Sequence, residues 1–85
     1  MTPPPDNLAF HAQHPSGGEG YVVLLFKPTA GRVGYREWSS TAWLEPGRDC
    51  SAPVDEVVER VRAWARDGWK LTESPERISA WLHAG

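Results

Sequence analysis

The run Tyr21-Val22-Val23-Leu24-Leu25-Phe26 constrains the fold of this chain more than any other stretch. Its residues are aromatic, β-branched or aliphatic throughout, and Pro28 follows almost at once, so the run reads as a strand. It does not alternate. Val22, Leu24 and Phe26 point one way, and Val23 and Leu25 point the other. A strand that is apolar on both faces belongs in the middle of a sheet, with cover on both sides.

Material for that cover is limited. The chain has 85 residues, which allows one domain. A folded chain of this size buries only roughly 60 to 65% of the surface its unfolded form exposes. Its large side chains therefore matter, and five of them are tryptophan. Trp64 lies on the best helix. Trp38, Trp43, Trp69 and Trp81 fall in or beside short predicted elements. Rings of this kind pack a core or anchor an interface.

The first twenty residues differ from the rest. Pro3, Pro4, Pro5, Pro15, Gly17, Gly18 and Gly20 sit among small polar residues and predict a flexible, disordered arm over residues 1–20. Leu8, Ala9 and Phe10 interrupt it as a short apolar patch able to dock on the domain or on another chain. Residues 21–85 form the domain proper.

After the first strand, Thr29-Ala30-Gly31 reads as a tight hairpin loop, with Gly31 supplying positive φ. The second strand runs from about Arg32 to Ser39. Val33 and Tyr35 share one side, and Arg32, Gly34, Arg36 and Trp38 the other. It is more polar than the first, which predicts an edge. Ser40 to Leu44 continue it after a bend, and Glu45-Pro46-Gly47-Arg48-Asp49 is a loop.

Ser51 is placed as N-cap of the long helix, with Pro53 in its first turn. Val54, Val57, Val58, Val61, Trp64 and Ala65 mark one helical face. Glu56 and Arg60 stand four apart on its solvent side. Gly68 ends the helix, Trp69 to Thr72 make a short third strand, and Ser74-Pro75 open a terminal helix with Ile78, Trp81 and Leu82 as its stripe. The expected class is α+β. After a disordered arm the order is β-β-α-β-α, with a small three-stranded sheet of order 2-1-3 packed against the long helix.

Charge and composition narrow the function. The net charge of −2 provides no overall field toward nucleic acid or an anionic membrane. One cysteine excludes an internal disulfide and points to a reducing, cytoplasmic setting. No window is long and apolar enough for a membrane span or a signal peptide.

Catalytic signals are weak. Cys50, just before the expected helix start, is the best nucleophile, but no histidine is near it in sequence. His11 and His14 have a ligand-like spacing only if helical, and no further ligand completes a metal site. Ser39, Ser40 and Thr41 lack a base and an oxyanion pattern. Asp55, Glu56 and Glu59 fit the solvated face of the helix. The expectation is no catalytic residue, no metal and no cofactor.

Aromatic and basic residues remain. Lys27, Arg32 and Arg36 gather at the hairpin with Tyr35 and Trp38, a combination able to stack single-stranded nucleic acid. The reading adopted is a non-catalytic protein–protein interaction or regulatory module, with Trp38, Trp43, Trp81, Ile78, Arg32 and Arg36 as interaction candidates. The alternative is a small nucleic-acid-associated regulator using the hairpin face. Incomplete cover of the second sheet face predicts a homodimer at micromolar concentration, with Trp81 or Trp38 near its centre.

Overall fold

The computed structural model describes residues 6–39 and 46–84. The chain runs through β1 (Asn7–Gln13), β2 (Gly20–Phe26), β3 (Arg32–Ser39), β4 (Arg48–Pro53), α1 (Val54–Arg66), β5 (Lys70–Leu71) and α2 (Pro75–Ala84). The strands form one five-stranded sheet of order β4-β3-β2-β1-β5, with every neighbouring pair antiparallel. This overturns the three-stranded sheet of order 2-1-3. It also makes β3 an interior strand rather than an edge.

The largest departure is at the N-terminus. Residues expected to lie in a disordered arm form β1, the strand between β2 and β5. Leu8, Phe10 and Ala12 alternate with Ala9, His11 and Gln13, and this period of two outweighs the surrounding prolines and glycines. Phe10 pairs with Val23 and Ala12 with Tyr21. Phe10 is 3% exposed and Ala12 is 0% exposed. The apolar patch at Leu8 and Phe10 is thus part of the sheet.

The β2–β3 hairpin turns on Ala30 (φ 54°) and Gly31 (φ 77°). Thr29 and Arg32 close it with reciprocal backbone hydrogen bonds of 2.8 and 3.1 Å. Two central residues with positive φ make a type I′ turn, whose twist matches that of the flanking strands. Gly31 takes this conformation without strain. Ala30 does not.

The segment expected to lead into the helix is instead β4. Arg48 and Asp49 leave the expected loop, and Ser51 and Pro53 leave the expected helix start, to pair with β3. Pro53 is the N-cap of α1 and makes no side-chain capping bond. The Val54 N–H donates to the Gly31 carbonyl at 3.0 Å instead, so the hairpin tip satisfies the start of the helix.

The end of α1 follows expectation. Gly68 has φ 86°, its N–H donates to the Ala65 carbonyl, and the Trp69 N–H donates to the Trp64 carbonyl. These are the two bonds of a Schellman motif. The Trp64 and Trp69 rings stack across it with centroids 5.7 Å apart. The chain then enters β5, which pairs only through Ala12–Leu71 and Gln13–Lys70. Thr72 extends this edge, accepting from the His11 N–H at its Oγ1 and donating its own N–H to the His11 carbonyl. The Ser74 hydroxyl caps α2 by accepting from the Arg77 N–H at 3.2 Å.

Both helices lie on one side of the sheet. Val54, Val57, Val58 and Val61 of α1 and Ile78 and Leu82 of α2 form the core with Phe10, Ala12, Val23, Leu25, Val33 and Ala52 of the sheet. Trp64, Trp69 and Trp81 pack partly buried against it.

Candidate functional site

The strand register assigns every side chain to one of two faces. On the covered face, Leu25 stands opposite Leu8 and Tyr35, and Val23 opposite Phe10 and Glu37. Tyr21 stacks with Trp64 at 5.9 Å and with Trp69 at 6.1 Å, and His14 meets the edge of Trp69 at 5.2 Å. Arg60 does not lie on the solvent side with Glu56. Its guanidinium sits 4.5 Å over the Trp64 ring and pairs with Glu37, whose side chain is 14% exposed. The planar cation thus bridges helix and sheet by stacking and by charge.

The other face carries Ala9 and His11 from β1, Val22, Leu24 and Phe26 from β2, Arg36 and Trp38 from β3, and Asp49 and Ser51 from β4. Val22 lies between His11 and Trp38, and Leu24 between Ala9 and Arg36. Neither described helix covers this side. A solvated face of an antiparallel sheet ordinarily alternates to polar residues. Here the middle strand remains apolar, and Phe26 is 40% exposed.

Glycines shape this open face. A Cβ on Gly34 would meet the Phe26 ring at 3.9 Å, and one on Gly20 would meet the His11 ring at 3.2 Å. A Cβ on Gly47 would overlap the Arg36 and Trp38 side chains. Glycine at positions 20 and 34 leaves room for the His11 and Phe26 rings, and the Gly47 backbone lies against Arg36 and Trp38.

Two of the charged groups on this face, Arg36 and Asp49, pair with each other. The Arg36 Nε donates to Asp49 Oδ1 at 2.7 Å, and Nη2 to Oδ2 at 3.4 Å. That hydrogen bonding, with the attraction of the guanidinium, holds the Asp49 carboxyl below its ordinary range and raises Arg36. The bidentate pair presents little net charge.

Three interaction candidates, Arg32, Arg36 and Trp38, fall on the open side of β3. Trp81 is on α2, partly buried against the core, and Ile78 is 0% exposed within it. Trp43 lies outside the described residues, as does the expected continuation of the second strand over Ser40 to Leu44. The basic and aromatic hairpin set is divided: Tyr35 faces the helices, while Arg36 and Trp38 face away. Phe26 was not among the candidates, although its grouping with Val22 and Leu24 was plain. The missing signal was the register that sets Val22 beside Trp38.

The remaining reactive groups are dispersed. Cys50 is in β4 on the covered face, opposite Tyr35, and not at a helix start. Burial, followed by the influence of Cys50, raises the Tyr35 phenol above its ordinary value. His14 Nδ1 lies 2.8 Å from Ser16 Oγ, and His83 Nδ1 lies 2.8 Å from the Ser79 carbonyl. Among the described residues, no three His, Cys, Asp or Glu side chains gather as a metal site. A shallow groove of about 350 Å³ lies between Pro28, Pro53, Val54 and Leu82, with Asp55 and His83 as its ionisable groups.

No protein-family model, no curated protein and no solved structure matches the chain. No helix among the described residues is long and apolar enough to cross a membrane.

Proposed function

We propose that this protein is a non-catalytic protein–protein interaction module whose contact surface is the open face of the sheet. One observation carries the reading: Val22, Leu24 and Phe26 form one column, with Trp38 beside Val22, on the face opposite both helices. Apolar groupings of this kind on a small protein mark contact surfaces. Half-buried Trp38 at one end of the column and exposed Phe26 at the other suit an interface, with Arg36 and Asp49 as a polar margin.

The neutral Arg36–Asp49 pair favours a protein partner over nucleic acid. Nucleic-acid affinity rests on unpaired cations that neutralise phosphates, and the chain as a whole carries −2.

Site-specific photocrosslinking in cells tests the proposal. A photoreactive residue at Phe26 should yield protein adducts, and the same residue at exposed Glu56 on α1 should not. Equal adducts at both positions, or none at Phe26, would overturn the reading. RNA or DNA adducts at Phe26 would replace it with nucleic-acid binding.

A further inference from the structure

We infer that the open face is covered by the same face of a second copy of this chain, giving a sheet-on-sheet dimer with the Val22–Leu24–Phe26 column at its centre. This rests on the interaction reading above and names its partner.

Shape is the first ground. Phe26 lies against Gly34 and His11 against Gly20, so glycines in the strands make room for both rings on this face. An apolar sheet face packs well on another one, about 10 Å away with a small rotation between strand directions. A single helix would contact only part of its width.

Area is the second. Four strands about 4.8 Å apart, each about 23 Å long, present roughly 450 Å² of projected surface. Two such faces bury roughly 900 Å² in total, in the size range of weak, transient association. That size fits a dimer in the micromolar range.

Charge is the third. Two copies of one surface bring like charges together unless those charges are already satisfied. Arg36 is held by Asp49 within its own chain, so that pair can meet its twin with little repulsion, and Arg32 stands at the hairpin end of the face, away from Leu24. A twofold axis parallel to the face and passing over Leu24 sets Leu24 against Leu24 of the second copy, and apolar meets apolar.

Sedimentation equilibrium of the purified full chain from 1 to 200 µM tests this. The wild-type mass should rise from 9.5 kDa toward twice that value. Phe26→Glu should weaken the dimer about tenfold or more, because it places a carboxylate in an apolar contact. Phe26 is already exposed, so the variant should keep its circular dichroism and, at 1 µM, its urea midpoint. Leu24→Glu should act in the same way, and Glu56→Ala, on the helical side, should leave the dimer intact.

A constant 9.5 kDa mass for the wild type would overturn the second copy as occupant. Crosslinks from Phe26 to a different protein would then leave the interaction reading standing. A dimer that survives both Phe26→Glu and Leu24→Glu would overturn the face-to-face arrangement.

Discussion

Leu24 and Leu25 are neighbours in the chain, identical in chemistry, and on opposite sides of the same strand. Leu25 is 0% exposed beneath α1 and α2, whereas Leu24 is half-buried among Ala9 and Arg36. The two faces of β2 thus have similar composition and different neighbours. On one side the chain supplies a helical layer, an aromatic stack and the Arg60–Glu37 bridge. On the other it supplies the Val22–Leu24–Phe26 column, one neutralised ion pair and Arg32. Hydrophobic content alone does not say what a face is for. The geometry of the connections does, because α1 and α2 both return to the same side.

The largest expected effect comes from removing the strand that feeds both faces. Deleting residues 1–13 removes Phe10 and Ala12 from the core and detaches β5 from the sheet. The truncated chain should lose its cooperative thermal transition by circular dichroism. A truncated chain melting within a few degrees of the intact one would mean that β1 contributes to neither face.

Within the intact chain, the covered face should be much the more sensitive. Leu25→Ala should cost about 2 to 5 kcal/mol, as expected for a large-to-small change in a closed core. Urea unfolding measures this directly. A cost below about 1 kcal/mol would erase the distinction between the faces.

A smaller effect, of opposite sign, is expected at the hairpin tip that holds the helical layer in place. Ala30 bears a positive φ that asparagine tolerates far better. Ala30→Asn should stabilise the fold by about 1 kcal/mol and raise the midpoint by about 4 to 8 °C. The tip lies outside the open face, so the variant should leave association unchanged. A lowered midpoint would contradict the type I′ turn.

The smallest effect belongs to the open face itself. Asp49 has a lowered pKa in the folded chain because Arg36 donates to it. A carboxylate of this kind stabilises the folded state above its unfolded pKa, and that contribution is lost as pH falls through the folded value. Both groups are exposed, so solvent screening keeps the effect slight. Asp49→Asn should therefore change neutral-pH stability little and flatten the acid limb of a pH–midpoint curve. An unchanged acid limb would mean that the pair does not persist in solution.

Much of the fold was legible in local signals. Tyr21–Phe26 and the Val33/Tyr35 side of β3 follow from composition and alternation. The end of α1 follows from Gly68-Trp69, and the start of α2 from Ser74-Pro75. β1 was hidden because Pro3 to Pro5 and Gly17 to Gly20 surround a seven-residue alternation and suggest disorder. β4, with the sequence Arg-Asp-Cys-Ser-Ala-Pro, has no strong strand former. It is a strand because β3 offers it a partner, a tertiary influence that no local window contains.

The candidate site was legible in part for the same reason. The grouping of Val22, Leu24 and Phe26 on one side is a matter of parity along a strand. Which side α1 and α2 occupy is not written in their periodicity. Ile78 and Trp81 therefore looked like equal candidates with Trp38, although they sit in the helical layer. Arg60 was misjudged likewise, because its partners Glu37 and Trp64 come together only once the helix lies on the sheet.

The most direct test of the division between the two faces is the matched pair Leu24→Ala and Leu25→Ala. Each would be unfolded in urea at 1 µM and again at 100 µM. In the dilute samples, Leu25→Ala should lose about 2 to 5 kcal/mol and Leu24→Ala less than about 1 kcal/mol. At the higher concentration the wild-type midpoint should rise, and Leu24→Ala should reduce that rise. Equal losses for the two alanines at 1 µM would contradict the division, because Leu24 would then be core in the same sense as Leu25.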